Sequence, residues 1–267
     1  MKKMTKPQLN QTKEVKAIYP IALKGNEVQS MEYIKSFSIR RRKYIIQMYN
    51  DGKNLLPKAA FILKKYKMPE ELRLLLTLES AYDSNAISLK GAVGYWQIID
   101  EVAKEYGLNY SPQPVAKELR RIFSSGSAKD SFIREFVLQK DERKSFLKST
   151  HAAAKYLKDR CRNLDNNILL VAASYNWGVG NVWEAMEKTA KNRPSFWDIK
   201  KYLPDETKRY VMNFIALNVI FNNYEHFIKK KLVFEIDVPI LEQPVDCKEN
   251  SGQDANRTDS YFPFKYR

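Results

Sequence analysis

The stretch from Met68 to Ser80 reads Met-Pro-Glu-Glu-Leu-Arg-Leu-Leu-Leu-Thr-Leu-Glu-Ser and decides the fold class of its region. A proline followed by two glutamates is typical of a helix start, because proline lacks the amide proton that would be unpaired there and carboxylates favour the positive end of the helix dipole. Leucines then recur at spacings of three and four residues, and further leucines cover most of the remaining surface. The pattern predicts a buried α-helix.

Glu79 lies on the apolar stripe of this predicted helix. A carboxylate that is removed from water without a cationic partner has a raised pKa and can act as a general acid near neutral pH. Glu79 is therefore a candidate catalytic acid. The alternative is that Glu79 lies at the helix end, where it reaches solvent or pairs with a lysine or arginine.

The residues after the helix predict a ligand-binding loop. An Asp-Ser-Asn cluster at 83–85 and glycines at 91 and 94 are typical of loops whose backbone approaches a ligand closely. We expect Trp96 to offer a stacking face for the apolar side of a sugar, and Gln97 to bond the polar groups of that sugar. Asp83, four residues after Glu79, is expected to leave the helix and cap the loop.

The rest of the chain shows helical spacing of apolar residues and almost no strand signal. Pro239 interrupts the one run of β-forming residues, Leu232 to Leu241, so we interpret this run as extended chain on the surface. The sequence predicts a single all-α domain over 26–231, a basic leader at 1–25 and an irregular extended tail at 232–267. The predicted helices cover 27–50, 54–66, 69–82, 115–139, 147–163, 166–175, 178–190 and 205–229.

Charge narrows the classes of function. The 267 residues carry 46 Lys and Arg against 31 Asp and Glu, a net charge of +15, and residues 1–67 hold 16 basic against 4 acidic residues. Such a region suits nucleic acid or another polyanion, including anionic envelope polymers and lipid headgroups. The run Arg40–Lys43 lies in this region, although a solvated helix face is the simpler interpretation of the run itself. No DNA- or RNA-binding motif accompanies it.

Cysteine and histidine are too few for a disulfide framework or a zinc site. Cys161 and Cys247 stand with His151 and His226 at spacings that match no zinc motif, so we expect no metal. Whether the two cysteines pair stays open. Residues 5–16 are polar where a signal peptide is apolar, and no apolar run is long enough for a membrane-spanning helix.

Three blocks of sequence resemble one enzyme family, the lytic transglycosylases with a lysozyme-like domain, and in particular their membrane-bound D-type branch. The first block combines Glu79-Ser80-Ala81-Tyr82-Asp83, Ala86-Ile87-Ser88, Gly91-Ala92-Val93-Gly94 and Trp96-Gln97. The second is Ser149–Leu157 followed by Ala172–Gly180, which includes Ala172-Ala173-Ser174-Tyr175-Asn176. The third is Leu203–Val211, which includes Glu206-Thr207-Lys208-Arg209-Tyr210-Val211. The sequence departs from the family pattern at Ser84, Tyr95 and Ser174, and in a longer connection over 109–140. It also departs at Asp141-Glu142-Arg143, which leads into Ser145-Phe146 where the family commonly has an Asp-Pro pair.

The resemblance implies a fold of the goose-type lysozyme kind and cleavage of the bond between N-acetylmuramic acid and N-acetylglucosamine in peptidoglycan. The family breaks this bond without water and leaves 1,6-anhydro ends. The resemblance makes Glu79 the acid and then the base. It also implies five substrate-binding residues, namely Ser88, Gln97, Tyr175, Asn176 and Glu206.

The resemblance further implies that no cofactor takes part and that the protein acts in the periplasm or at the outer membrane. The expected partner is the glycan strand of peptidoglycan. We expect the basic N-terminal region to contact the anionic envelope, nucleic acid to be no partner, and the protein to be a monomer. Two alternatives stay open: a muramidase of the same fold that hydrolyses the bond, and a catalytically silent peptidoglycan-binding scaffold.

Overall fold

The computed structural model describes residues 14–112, 114, 116–138 and 140–235, and these residues are mostly helical. Two short strands, β1 (Val15–Lys16) and β2 (Leu232–Val233), pair in parallel. The all-α prediction is confirmed. The helices are α1 Glu27–Arg40, α2 Arg42–Gly52, α3 Leu56–Lys65, α4 Leu74–Ser80, α5 Asp100–Glu105, α6 Ala116–Ser124, α7 Gly126–Leu138, α8 Phe146–Asn163, α9 Ile168–Trp177, α10 Val179–Glu187, α11 Phe196–Ile199, α12 Asp205–Asn222 and α13 Tyr224–Ile228, with 3-10 turns at Ile21–Leu23, Glu70–Arg73, Glu142–Lys144 and Lys200–Tyr202.

Three predicted helices are interrupted. The helix predicted over 27–50 ends at Arg40 and restarts at Arg42, and the one predicted over 115–139, whose end residues lie outside the described residues, breaks at Ser125. The third break, at Asn223, has a clear cause. The side-chain Nδ2 of Asn223 donates to the carbonyl of Ile18 at 2.7 Å, and its Oδ1 accepts from the backbone N–H of Ile18 at 3.0 Å. Because this partner is 205 residues away in sequence, no local pattern predicted the break.

The chain divides into two compact units. The first unit includes residues 14–78 and 154–235 and is built around α9 and α12, which pack on each other and on α1 and α10. The first seven residues of α9 are all buried, as expected for a helix that is apolar on every side. Asn167 caps this helix, since its Oδ1 accepts from the backbone N–H groups of Leu169 and Leu170 at 3.2 Å.

The second unit is described over residues 79–153, without 113, 115 and 139, and packs its core around Trp96, Leu119 and Phe136. Its α6 and α7 pack together and belong to the long connection noted in the sequence. The ammonium group of Lys144 bonds the carbonyl of Phe136 and lies 3.7 Å from the centre of its ring. Partial burial lowers the pKa of Lys144.

The domain boundaries predicted at residues 25 and 231 stay predictions. Residues 1–13 of the leader and 236–267 of the tail lie outside the described residues. Leu232 and Val233 are extended, as the sequence indicated, and their partner is the short strand Val15–Lys16. Among the described helices, none combines the length and the apolar character needed to cross a membrane.

Candidate active site

Glu79 lies in the last turn of α4, a helix whose other side chains are buried. Leu74, Leu75 and Leu76 have no exposed surface, whereas Glu79 is half-buried. Any shift of α4 would expose these leucines, so the helix holds the Glu79 backbone firmly. The prediction of a buried helix that carries Glu79 is confirmed over Leu74–Ser80. The predicted bounds of 69 and 82 are wrong, since Glu70–Arg73 is a 3-10 turn and the helix ends at Ser80.

The chain leaves α4 through two strained residues. Ala81 and Tyr82 have φ angles of +47° and +71°, a region that costs a residue with a Cβ about 1–2 kcal/mol. Ser80, the last residue of α4, stabilises the helix end through two hydrogen bonds. Its Oγ donates to the carbonyl of Tyr95 at 2.8 Å and accepts from the N–H of Tyr82 at 3.1 Å. Backbone strain held in place by surrounding bonds is typical of functional sites.

Asp83 has the structural role predicted from the sequence. Its side chain is exposed, and its Oδ1 accepts from the N–H of Asn85 at 2.8 Å. This bond closes the turn that follows Ala81 and Tyr82. The carboxylate of Asp83 therefore shapes the loop.

Ser88 and Gln97 lie in one loop. This loop is held together by β-bridges from Val93 to Ile87 and to Ile98. The Ser88 hydroxyl accepts from the backbone N–H groups of Lys90 and Ala92, at 3.2 and 3.1 Å. Gln97 adopts a φ of +48°, and its Nε2 donates to the carbonyls of Ala86 and Gly94, both at 3.1 Å. Both predicted site residues are thus held in fixed orientations by the loop.

The prediction that Trp96 offers a stacking face to a sugar is wrong. Its side chain has no exposed surface, and its Nε1 donates to the Thr150 hydroxyl at 3.0 Å. The indole ring is therefore part of the core of the second unit, where a buried indole N–H needs such a partner. The motif spacing carries no information on which way the ring points.

Tyr175, Asn176 and Glu206 belong to the first unit. Tyr175 and Asn176 form the half-buried last turn of α9, and the Tyr175 ring packs edge-on against Tyr156 with centroids 5.6 Å apart. The Oδ1 of Asn176 accepts from the Thr207 hydroxyl at 2.8 Å. Because Thr207 follows Glu206 at the exposed start of α12, this bond joins the second and third sequence blocks.

A buried ion cluster in the second unit was missed by the sequence reasoning. The side chains of Arg143 and Asp141 are 0% exposed, and Asp100 completes the cluster with 28% exposure. The sequence showed Asp141-Glu142-Arg143-Lys144 as a charged run, and such a run usually marks a solvated surface. No local signal separates a buried arginine from an exposed one, because the partner Asp100 lies 43 residues earlier.

Comparison with known proteins gives a consistent result. A family model described as the transglycosylase SLT domain matches residues 59–196. The chain is 34% identical over 168 residues to membrane-bound lytic murein transglycosylase D from two strains of Escherichia coli, K12 and CFT073. The match covers 62% of this chain and 31% of each relative, so the chain spans about a third of the length of these relatives.

The chain is also similar to solved structures. One of them is the X-ray structure of an inactive mutant of lytic transglycosylase Slt from Pseudomonas aeruginosa, with a TM-score of 0.44 and 21% sequence identity. The match covers 66% of this chain and 24% of that one.

Proposed function

The chain belongs to the transglycosylase SLT domain family, as its three sequence blocks indicated, and from this membership we propose that it is a peptidoglycan lytic transglycosylase. Its substrate is the β-1,4 bond between N-acetylmuramic acid and N-acetylglucosamine, and its product is a 1,6-anhydromuramyl end. The observation that carries the proposal is Glu79, a half-buried carboxylate at the end of a buried helix and directly before the strained loop that holds Ser88 and Gln97.

The proposed reaction needs one carboxyl group. Glu79 donates its proton to the glycosidic oxygen, and the bond from C1 of the muramyl residue to that oxygen breaks. The C6 hydroxyl of the same muramyl residue then bonds to C1 and gives its proton to the Glu79 carboxylate, which returns to its starting state. Attack within one sugar ring removes the need to position a water, whereas hydrolytic glycosidases generally use a second carboxylate.

The remaining predicted residues are proposed to bind the glycan. Nε2 of Gln97 is engaged with the loop, so its Oε1 is the atom we assign to an N–H or hydroxyl donor of the sugar. For Asn176 the opposite holds, because its Oδ1 is bonded to Thr207 and its Nδ2 is left to donate. Ser88, Tyr175 and Glu206 supply further polar groups.

The basic N-terminal region is proposed to hold the enzyme against the anionic envelope. The location that we propose is the periplasm or the outer membrane, and the name of the relative supports attachment to a membrane. The structure narrows the residues of the run Arg40–Lys43 that serve this contact. Arg42 donates to the carbonyls of Phe227 and Ile228 at 3.1 and 2.9 Å and therefore caps the end of α13. Arg40 and Lys43 are exposed and carry the proposed contact.

The products of a peptidoglycan digest test the proposal. We expect the purified protein to release fragments with anhydromuramyl ends, which are lighter by one water than hydrolysis products. Reducing muramyl ends instead would make the protein a muramidase. Mass spectrometry of the fragments separates the two outcomes.

Two matched variants test the assignment of Glu79. Glu79→Gln removes the proton that is transferred and should lower glycan release by about 10²–10⁴-fold, the range typical of general acid–base catalysis. Asp83→Asn alters a carboxylate four residues away, keeps the bond to Asn85 and should release glycan at the original rate. Unchanged release by Glu79→Gln would contradict the assignment, and no release by either the original protein or Glu79→Gln would favour a binding scaffold.

A further inference from the structure

Arg143 is a fully buried cation that the proposed chemistry does not use. Its Nε and Nη2 donate to the Asp141 carboxylate, at 3.0 and 2.7 Å, and its Nη1 bonds Asp100. Nη2 also donates to the carbonyl of Ser111 at 2.8 Å. Every side of the guanidinium group is therefore held, and its position is tightly defined.

Arg143 contacts the hairpin Val93–Ile98 at two places, namely Ile98 in the closing pair and Gly94 at the start of the turn. Its Nη1 donates to the carbonyl of Ile98 at 3.3 Å, at the closing pair where Val93 and Ile98 exchange backbone bonds of 3.1 Å. At the turn, the carbonyl oxygen of Arg143 lies where it would be 2.3 Å from a Cβ on Gly94. The side chain and the backbone of one residue thus fix the hairpin.

The same hairpin contacts two parts of the candidate site. The carbonyl of Tyr95 accepts the bond from Ser80, the residue after Glu79, at 2.8 Å. The carbonyl of Gly94 accepts one of the two bonds from Nε2 of Gln97. A displacement of the hairpin would therefore move the Gln97 amide and the end of α4 relative to each other.

Stability alone is a weak explanation for a buried ion cluster. The cost of removing the charges from water largely offsets their attraction, and well-packed apolar residues often stabilise a protein equally well. A planar guanidinium group with fixed donors does, however, impose directions on its acceptors that apolar packing does not.

We propose that Arg143, held by Asp141 and Asp100, is a positioning residue that sets the placement of Gln97 relative to Glu79 for the reaction. The inference rests on the proposed function of Glu79. Its physical basis is that a displacement of about 1 Å in a reacting arrangement can cost 10²-fold in rate. Arg143 acts through the hairpin and does not touch the glycan.

Two variants test the proposal. Asp100→Asn weakens one arm of the cluster at its partly exposed edge, so we expect the protein to fold and kcat on soluble glycan fragments to fall about tenfold. Arg143→Lys keeps the charge but loses the planar fork, and its kcat should fall about 100-fold. In both, the affinity for glycan measured in the Glu79→Gln background should change less than threefold, because positioning affects the transition state more than ground-state binding.

The control is Asp198→Asn in the first unit. The Asp198 side chain is 25% exposed, close to the 28% of Asp100, and is likewise bonded to a cation, Lys191. We expect a kcat within twofold of the original for Asp198→Asn. The drop in melting temperature should be larger for Asp100→Asn, because its partner Arg143 is 0% exposed whereas Lys191 is 60% exposed. A second readout is the NMR signal of the Gln97 side-chain amide, which should shift in Asp100→Asn and stay in place in Asp198→Asn.

A kcat for Asp100→Asn within twofold of that for Asp198→Asn, with an unshifted Gln97 signal, would overturn the proposal. If Arg143→Lys does not fold, Asp100→Asn still decides. The failure of the proposed function is a different result, namely full glycan release by Glu79→Gln.

Discussion

At Gly94 the backbone turns with φ = +77° and passes directly against the carbonyl of Arg143. These are two separate requirements for glycine, one conformational and one steric. Gly107 satisfies only the first: its φ is +76°, but a Cβ there would meet nothing within 4 Å. Comparing Gly94 with Gly107 therefore separates the free-energy cost of the backbone conformation from that of the steric contact.

Gly94→Ala should lower the free energy of unfolding by about 3 kcal/mol, of which about 1–2 kcal/mol is conformational and the rest arises from overpacking. Gly107→Ala should lose about 1–2 kcal/mol, the conformational part alone. Urea denaturation of both variants measures the difference. Equal losses would show that the Arg143 carbonyl moves away at no cost.

Cys161 is a buried thiol, 4% exposed, in α8. Burial raises the pKa of this thiol to about 11 from an ordinary 9.0. Its possible partner in the sequence, Cys247, lies outside the described residues. At pH 8 about one Cys161 in a thousand is therefore a thiolate, and the thiolate is the reactive form.

In a Cys247→Ser variant, Cys161 should react with a thiol reagent at pH 8 at least 100-fold more slowly in the folded protein than in 6 M guanidinium chloride. The physical reasons are the low thiolate fraction and the poor access to the sulfur. The reagent is an aromatic disulfide, and the absorbance of the aromatic thiol that it releases measures the rate of the reaction. A fast stoichiometric reaction of the folded protein would contradict the burial of Cys161.

On the scale of elements, α4 and α9 share one construction. Each has a buried body and carries half-buried polar residues in its last turn, namely Glu79 in α4 and Tyr175 with Asn176 in α9. An apolar body anchors a helix through burial, and the hydrogen bonds of Ser80 and Asn176 fasten the two helix ends further. In both helices, an apolar run of sequence forms the buried body and stops where the polar residues of the last turn begin.

The short helix α11 depends on its capping residues. Asp198 accepts from the N–H and the hydroxyl of Ser195, both at 2.8 Å, and pairs with Lys191. The bond to Lys191, followed by those to Ser195, lowers the pKa of Asp198 to about 2 from an ordinary 3.8. A carboxyl whose pKa is lowered by folding stabilises the folded state above its ordinary pKa, and this contribution disappears as the pH falls through the folded value.

Asp198→Asn should therefore lower the urea midpoint at pH 6, and its difference from the original protein should shrink between pH 4 and pH 2. Asp165→Asn is the control, since Asp165 and Arg193 are both exposed and 3.8 Å apart. We expect this variant to match the original protein at each pH. A difference for Asp198→Asn that stays constant down to pH 2 would contradict the role of its charge.

On the scale of the whole molecule, the net charge of +15 is concentrated before Met68. Basic residues in that region have different roles: Arg42 is bonded to the end of α13 and lies over the Phe227 ring at 4.6 Å, whereas Arg40 and Lys43 are exposed. Sequence position alone does not distinguish them. Any test of the surface charge has to spare Arg42.

Replacing Arg40 and Lys43 together by Gln should weaken binding to peptidoglycan sacculi several-fold at low salt, because exposed charges act through screened attraction. Turnover of short soluble glycans and the melting temperature should not change. Arg42→Gln should instead lower the free energy of unfolding by about 1–2 kcal/mol through the lost bonds to the α13 carbonyls. Sedimentation with sacculi and thermal denaturation measure the two effects, and equal losses of binding and turnover in the double variant would contradict the envelope contact.

The sequence by itself determined the helical class, the candidate acid and the family. These follow from local information: apolar residues at a spacing of three and four give a helix with a buried face, a carboxylate on that face is unusual, and motif residues are recognised by their order along the chain. The capping role of Asp83 was also local, since its partner is two residues away. The positions of Ser88 and Gln97 in one loop followed from the same motif.

Only the tertiary structure decided the burial of Trp96, the burial of Arg143 and the break at Asn223. Each depends on a partner that is distant in sequence: Thr150 lies 54 residues from Trp96, Asp100 lies 43 from Arg143, and Ile18 lies 205 from Asn223. Local spacing defines which residues share a face, but the partner that covers a face, or satisfies a buried polar group, is chosen by packing between segments. That is why the sequence identified a candidate acid, whereas the buried cluster around Arg143 was found only in the structure.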